Sequence, residues 1–264
     1  MNLVNFILNL VGLVLWVASR LAGASASLRH PARWLLLPGL AVLVGARAWM
    51  YWQVGQAVHW IAPLDLGAVR LDFNSAAFER MPIFSVASFG LFLGAFYLWL
   101  LLLSIINEDA QDSNPRLRFI AIQLGWLRRL PAVFRLILPA TLLGLAWVGC
   151  HPALVDGGLV AAPRSTVHLW QQGAVVGLGA FLVGKYLLLG LLGLHLLNTY
   201  VYLGNRPLLA SASLTARNLL GLVRWLPLRL GRVDLAPAIG VAAVWFMFDR
   251  GKPALVRLFF RLPL

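Results

Sequence analysis

Long apolar runs dominate the chain and alternate with short segments that hold nearly all of its charges. A helix needs about 20 predominantly apolar residues to cross a hydrocarbon core of about 30 Å. The pattern therefore predicts an all-α integral membrane protein with about six transmembrane helices and with amphipathic interfacial helices between them. The predicted spans are Met1 to Ser19, Trp34 to Trp52, Pro82 to Ile106, Leu136 to Val155, Leu169 to Tyr202 and Leu235 to Phe248.

The sixth run is the shortest, and its length leaves its crossing open. Its 14 residues cover only about 21 Å, so it must thin the bilayer, borrow flanking residues or be re-entrant. A basic amphipathic tail, residues 251–264, follows this run. If the sixth helix does not cross, the tail lies on the opposite side of the membrane.

The first run has a signal peptide as its alternative interpretation, because Ala22, Ala24 and Ala26 supply small residues at A-x-A spacing after it. The flanks are reversed for a signal peptide, since no basic residue precedes the run whereas Arg20 and Arg29 follow it. We therefore expect the run to be retained as the first transmembrane helix.

Basic residues concentrate on one predicted side of the membrane. The segments after the first, third and fifth runs hold thirteen arginines, against seven basic residues in the other connections and the tail. Cytoplasmic loops carry such an excess, so we expect an extracytoplasmic N-terminus. Only Lys185 and Lys252 are lysines among the 22 basic residues, and with many Gly and Ala this is typical of a bacterial chain. We therefore expect a bacterial inner membrane protein.

Composition supports a membrane location over a soluble one. Hydrophobic residues make up 61% of the chain and charged residues 12%, which is too little charge to coat a water-facing surface. The net charge of +13 would suggest nucleic acid in a soluble protein, but here the basic residues lie between apolar runs. That placement favours anionic lipid headgroups, and we expect no nucleic-acid partner.

Two of the cytoplasmic segments have the pattern of helices that lie in the membrane interface. Apolar residues fall largely on one helical face from Leu117 to Leu130 and again from Leu214 to Leu226, with arginines around that face. We expect six of these arginines to contact lipid headgroups at the cytoplasmic face: Arg116, Arg118, Arg128, Arg129, Arg217 and Arg224.

These two segments belong to an internal repeat, because each lies between two apolar spans. The repeated unit is a span, a basic interfacial helix and a second span. It divides the chain into an N-terminal two-helix extension with a polar extracytoplasmic segment (1–82), a degenerate first repeat (83–155), a second repeat (156–250) and the tail (251–264).

Short motifs match between the two copies and carry a family resemblance. The matching residues are Asn114 and Pro115 in the first copy and Asn205, Arg224, Pro227, Gly231, Asp234 and Pro237 in the second. They resemble the repeats of the YggT family of small membrane proteins, which carry an asparagine-proline, then Arg-x-x-Pro, then Gly-Gly-x-Asp-x-Ser-Pro. The first copy lacks the last of these motifs, and Arg232 and Ala236 depart from it in the second.

The resemblance implies a non-enzymatic role in membrane organisation or in the assembly or stabilisation of a membrane protein complex. The roles implied by the resemblance include cytochrome maturation, among chloroplast relatives, and osmotic-stress tolerance. The family has no agreed biochemical activity. The expected partners are a bilayer with anionic lipids and other membrane proteins or a second copy of the chain.

Ionisable side chains inside a predicted span are candidates for function. Lys185 and His195 lie in the fifth run, about 80° apart around a helix, and carry the alternative hypothesis of a small ion or solute transporter or channel. Arg47 lies close to Trp49 and Trp52, and we interpret it as an interfacial anchor that snorkels outward.

Catalytic and metal-binding motifs are absent from the sequence. Cys150 and His151 lack the Cys-x-x-Cys-His pattern of haem attachment, and a single cysteine excludes a disulfide framework. There is no G-x-S-x-G, P-loop or His-Glu-x-x-His pattern. We therefore expect no catalytic residue, no metal and no cofactor.

Local signals predict one helix start and several close helix contacts. Asp234 is the expected N-cap of the sixth helix, with Pro237 in its first turn. Small residues four positions apart let helices approach closely. These pairs are Gly90 and Gly94, Ala140 and Gly144, Gly173 and Gly177, Ala180 and Gly184, and Ala236 and Gly240.

Overall fold

The chain is mostly helical in the residues that the computed structural model describes, which are 2–24, 32–108, 118–201, 207–221, 229–230 and 233–263. The helices of this part are α1 Asn2–Ala24, α2 Ala32–Val58, α3 Arg80–Ile106, α4 Arg118–Leu124, α5 Ala132–Asp156, α6 Thr166–Gly179, α7 Gly184–Tyr200, α8 Pro207–Leu220 and α9 Ala236–Arg261. Two antiparallel strand pairs accompany them, β1 Ile61–Asp65 with β2 Arg70–Asn74 and β3 Arg229–Leu230 with β4 Val233–Asp234.

Five candidate membrane spans occur in the described residues, each long and apolar enough to cross a bilayer: Asn2–Leu21, Leu35–Val58, Arg80–Ile106, Ala132–Asp156 and Thr166–Tyr200. The fifth joins α6 and α7 through a 3₁₀ turn, Ala180–Val183. These spans coincide with the first five predicted runs, so the predicted class of helical membrane protein is confirmed.

The predicted sixth run belongs to a longer helix. α9 has 26 residues and continues beyond Phe248 through most of the predicted tail. Its charged second half keeps it out of the set of candidate spans. Pro237 lies in its first turn as predicted, but Leu235 occupies the N-cap and Asp234 lies in β4, so the predicted cap is wrong.

The bundle has two distinct ends. At the hairpin end, where α3 begins, Arg80 Nη2 donates to the Gly157 carbonyl in the connection between α5 and α6, at 2.8 Å. At the arginine end, where α3 finishes, Thr215 of α8 donates to Asn107 Oδ1 at 3.2 Å. The short α4 also packs near this end, with buried Ile120 in one cluster with Leu100. Both arginine-bearing short helices therefore lie at the same end.

α5 and α6 form a close antiparallel pair built on small residues. A Cβ added to Gly144 would lie 2.7 Å from the Gly173 carbonyl oxygen, and one added to Gly177 would collide with the Ala140 carbonyl oxygen. The predicted pairs Ala140 with Gly144 and Gly173 with Gly177 thus meet in one interface, which confirms that part of the packing prediction. Gly90 and Gly94 instead face open space.

The β1–β2 hairpin forms a wedge between α3 and the α5–α6 pair, in the segment that the sequence identified only as polar. Its inner face buries Ala62, Leu64, Leu71 and Phe73, in one cluster with Phe84 of α3, Trp147 of α5 and Val176 of α6. Gly67 at the hairpin tip has φ +86°, and a Cβ there would lie 2.7 Å from the Gly179 carbonyl oxygen. Glycine therefore allows both the turn and the close approach.

The C-terminal half of α9 closes over this hairpin. The rings of Phe259 and Trp147 are 5.9 Å apart at their centroids. Leu262 is buried in a cluster with Ala68 of the hairpin turn and Val175 of α6. The basic end of the chain therefore lies at the hairpin end of the bundle, away from α4 and α8.

Candidate functional site

The most deeply buried charge in the described bundle is Arg47 of α2. Its side chain is 1% exposed and points between α1 and α3. Arg47 Nη1 donates to Asn9 Oδ1 at 2.7 Å, and Nη2 donates to Asn5 Oδ1 at 3.0 Å. Tyr51 also donates to Asn5 Oδ1, at 2.9 Å, and both asparagine amides donate to Ser88 Oγ at 3.1 Å.

The interpretation of Arg47 as an outward-snorkelling anchor is wrong, because neutral oxygens on α1 hold the guanidinium inside the bundle. An arginine keeps its charge in a protein, so burial requires hydrogen-bond acceptors. The sequence carried a signal for this cluster: Asn5 and Asn9 are four residues apart in an apolar run, as are Arg47 and Tyr51.

A second buried arginine joins α5 to the end of α3. Arg135 is 2% exposed, donates to Ser104 Oγ at 2.6 Å and forms an ion pair with Glu108. Nearby, Asn218 of α8 donates to Asn107 Oδ1 at 3.1 Å. These contacts connect three elements at the arginine end, so the polar groups there serve helix packing.

Two histidines meet near the hairpin end, although the sequence assigned them no role. His168 Nδ1 accepts the Arg164 backbone N–H at 3.1 Å, and the Gln172 amide nitrogen lies 3.1 Å from His168 Nε2. His151 lies against Trp147, with ring centroids 5.5 Å apart. Among the described residues, no three His, Cys, Asp or Glu side chains are grouped to hold a metal ion.

The two residues of the transport hypothesis are not brought together. Lys185 is half-buried near the start of α7 and His195 is buried further along it. Ten residues of helix place them about 15 Å apart along the axis. The His195 carbonyl accepts from Thr199 Oγ1 at 2.8 Å. Transport through Lys185 and His195 stays a prediction.

Four of the six predicted headgroup arginines lie in the described residues. Arg118, Arg129 and Arg217 are exposed, and Arg128 is half-buried. Arg116 and Arg224 lie outside the described residues, as do the motif positions Asn114, Pro115, Asn205, Pro227 and Gly231. Of the remaining motif residues, Pro237 is buried at the start of α9.

An open apolar groove of about 350 Å³ runs between α2 and α3. Its lining includes small residues together with Trp49 and Phe78, which are each more than half exposed. The exposed positions Val86, Gly90 and Gly94 continue its α3 wall, since they follow each other at four-residue spacing. The lining residues are Ala41, Val44, Gly45, Ala48, Trp49, Phe78, Pro82 and Val86.

The helices, their exposed apolar surfaces and their internal polar clusters together define a membrane-embedded helical protein. Comparisons with protein-family models, with curated proteins and with solved structures find no match for the chain. The resemblance to the YggT family therefore stays a prediction.

Proposed function

We propose that this chain is a non-enzymatic, multi-pass, YggT-like membrane protein that acts in membrane organisation or in the assembly or stabilisation of a membrane protein complex. The observation that carries the proposal is the groove between α2 and α3. The described buried arginines bond within the chain, so they support packing rather than chemistry. The groove, in contrast, has no occupant from the described part of the chain.

The groove suits a helix of a neighbouring membrane protein. In a bilayer, helices associate by close packing, and small residues at the interface let the backbones approach. Gly45 and Gly90 have no atom within 4 Å of an added Cβ, so both surfaces are free for such an approach. The flanking Trp49 and Phe78 would add apolar contact area along its rim.

The placement in the bilayer forms part of the same proposal. The arginine end faces the cytoplasm of a bacterial inner membrane, with Arg118, Arg129 and Arg217 at anionic headgroups. About 1 kcal/mol per basic residue is expected from such contacts. With the arginine end inside, α1 begins outside, so the N-terminus is extracytoplasmic; α9 makes the sixth crossing, which puts the C-terminus outside as well. The proposed crossing by α9 is supported by the contacts of this helix with α7 at one end and with the hairpin at the other.

In-cell photo-cross-linking at the groove tests the proposal. With a photoreactive amino acid at Val86, we expect a discrete protein adduct, either with another membrane protein or with a second copy. Gly90→Leu fills the neighbouring surface and should lower the adduct yield at least about fivefold, since close packing is lost. Yield is measured by immunoblot after ultraviolet exposure.

The matched control is Gly149→Leu, because Gly149 of α5 is also exposed with no atom near an added Cβ. We expect this variant to keep the adduct. A photoreactive residue at Val133, which is 64% exposed on α5, reports non-specific capture. Lipid adducts alone at Val86, or equal adducts at Val86 and Val133, would contradict the proposal.

A further inference from the structure

The β1–β2 hairpin presents two chemically opposite faces. The inner face is apolar and buried, as described above. The outer face alternates with it along both strands and carries the ion pair of Arg70 Nε with Asp72 Oδ1 at 2.9 Å. At the tip, Asp65 Oδ2 pairs with Lys252 Nζ of α9 at 2.6 Å. All four of these side chains are more than half exposed.

The hairpin runs alongside candidate membrane spans rather than beyond their ends. Its base contacts α3 close to the start of that helix, through Phe73 and Phe84 with ring centroids 5.6 Å apart. Its tip contacts Gly179, the last residue of α6. The 14 residues of α6 span about 21 Å from the hairpin end of the bundle. The tip therefore reaches well along the fifth candidate span, Thr166–Tyr200.

Hydrocarbon cannot cover this outer face. Among the described residues, β1 and β2 pair only with each other, so the outward N–H and C=O groups on their edges lack a strand partner. Such groups in lipid cost several kcal/mol each, and non-helical backbone at membrane depth occurs only inside protein or along a water-filled cavity. Half-exposed carboxylates and cations are likewise costly in lipid and occur at membrane depth only inside protein or along a water-filled cavity.

We propose that the outer face of the hairpin lines a water-filled cleft, which opens at the hairpin end and admits small hydrophilic solutes to the depth of the hairpin tip. α9 forms one wall of this cleft through Lys252. The cleft also gives the basic second half of α9 an aqueous environment, where its charges need no partner protein. This inference is independent of the role proposed for the groove.

The rate at which introduced cysteines react with a membrane-impermeant maleimide tests the cleft. The protein is reconstituted in proteoliposomes, and the maleimide is present both inside and outside them. The background is Cys150→Ser, because Cys150 is exposed and free. Arg70→Cys places a thiol on the outer face near the tip. Leu178→Cys is the matched control at similar depth, since Leu178 precedes Gly179 and is 47% exposed on the outside of the bundle.

We expect Arg70→Cys to react at least about tenfold faster than Leu178→Cys, because only the former meets water. A permeant maleimide should label both. Asp72→Cys, on the same face, repeats the test if Arg70→Cys does not insert. Slow reaction at the hairpin would mean that lipid or protein covers the face, and fast reaction at Leu178 would place the hairpin outside the bilayer. Either result overturns the inference.

Discussion

Arg47 carries its charge into the bundle and is held there by uncharged groups. A cluster of Asn5, Asn9 and Tyr51 surrounds its guanidinium. Ser88 Oγ accepts a hydrogen bond from each asparagine amide. Among the described residues, no carboxylate lies within ion-pair distance of it. In a medium of low dielectric these hydrogen bonds are stronger than in water, so one cluster joins α1, α2 and α3 in a single register.

Asn9→Ala tests the strength of this cluster. The substitution removes the oxygen that accepts from Arg47 Nη1 and leaves a buried, charged donor without that partner. Hydrogen bonds to charged groups contribute about 1.5–3 kcal/mol, so we expect a loss of about 2 kcal/mol in the free energy of unfolding. Denaturant titration in mixed micelles, followed by circular dichroism, measures it.

Asn2→Ala is the control for this prediction, because Asn2 lies on the same helix and is exposed. It should leave the unfolding free energy unchanged within about 0.5 kcal/mol. Equal losses in both variants would show that the loss at position 9 does not come from its hydrogen bond with Arg47.

At the scale of elements, glycine residues allow particular pairs of elements to pack in direct backbone contact. α5 and α6 approach so closely that the carbonyl of Ala140 occupies the place of a side chain on Gly177. The hairpin tip makes a similar backbone contact, between Gly67 and Gly179. Because interiors are close-packed, neither contact accepts an added methyl group without movement of a backbone.

Gly177→Ala is expected to force α5 and α6 apart and to lower the free energy of unfolding by about 1–3 kcal/mol, the usual range for overpacking. Gly193→Ala is the matched control, since no atom lies within 4 Å of a Cβ added to Gly193 of α7. Alanine is the better helix former, so the control should be neutral or slightly stabilising. Unfolding of both variants in detergent measures the difference. A neutral Gly177→Ala would contradict the close packing.

At the scale of the whole molecule, the described parts of both terminal helices reach the hairpin end. The Asn9 side chain, early in α1, bonds Arg47 and Ser88, and Trp16 Nε1, later in α1, bonds the Tyr97 hydroxyl towards the other end. α9 finishes at Leu262 against the hairpin turn. If α9 crosses as proposed, both termini of the described helices lie on one side of the membrane.

Reporter fusions test this topology in a bacterial host. We expect alkaline phosphatase to be active, and green fluorescent protein to be dark, when fused at either the N-terminus or the C-terminus, because the proposed topology puts both outside. A fusion after Leu130, at the arginine end, should show the reverse pattern as the positive-inside rule requires. A fluorescent C-terminal fusion would mean that α9 does not cross.

The sequence by itself determined the membrane class and the positions of the five candidate spans. A crossing helix is recognised by length and apolarity, which are properties of one continuous segment, so no knowledge of neighbours is needed. Small residues at four-residue spacing also predicted close helix contacts, of which the α5–α6 interface is one, although the same signal did not say which helices meet and did not distinguish these pairs from the open positions Gly90 and Gly94.

Only the tertiary structure decided where the isolated charges go. Arg47 and Asn9 are 38 positions apart, and Lys252 and Asp65 are 187 apart, so neither pairing is visible in a local pattern. The hairpin wedge was missed for a similar reason. Its alternation of apolar and polar residues is short, and its burial depends on α3, α5 and α6 surrounding it. Whether a segment can cross the membrane is thus a local property of the sequence, whereas the environment of each charge depends on which distant helix packs beside it.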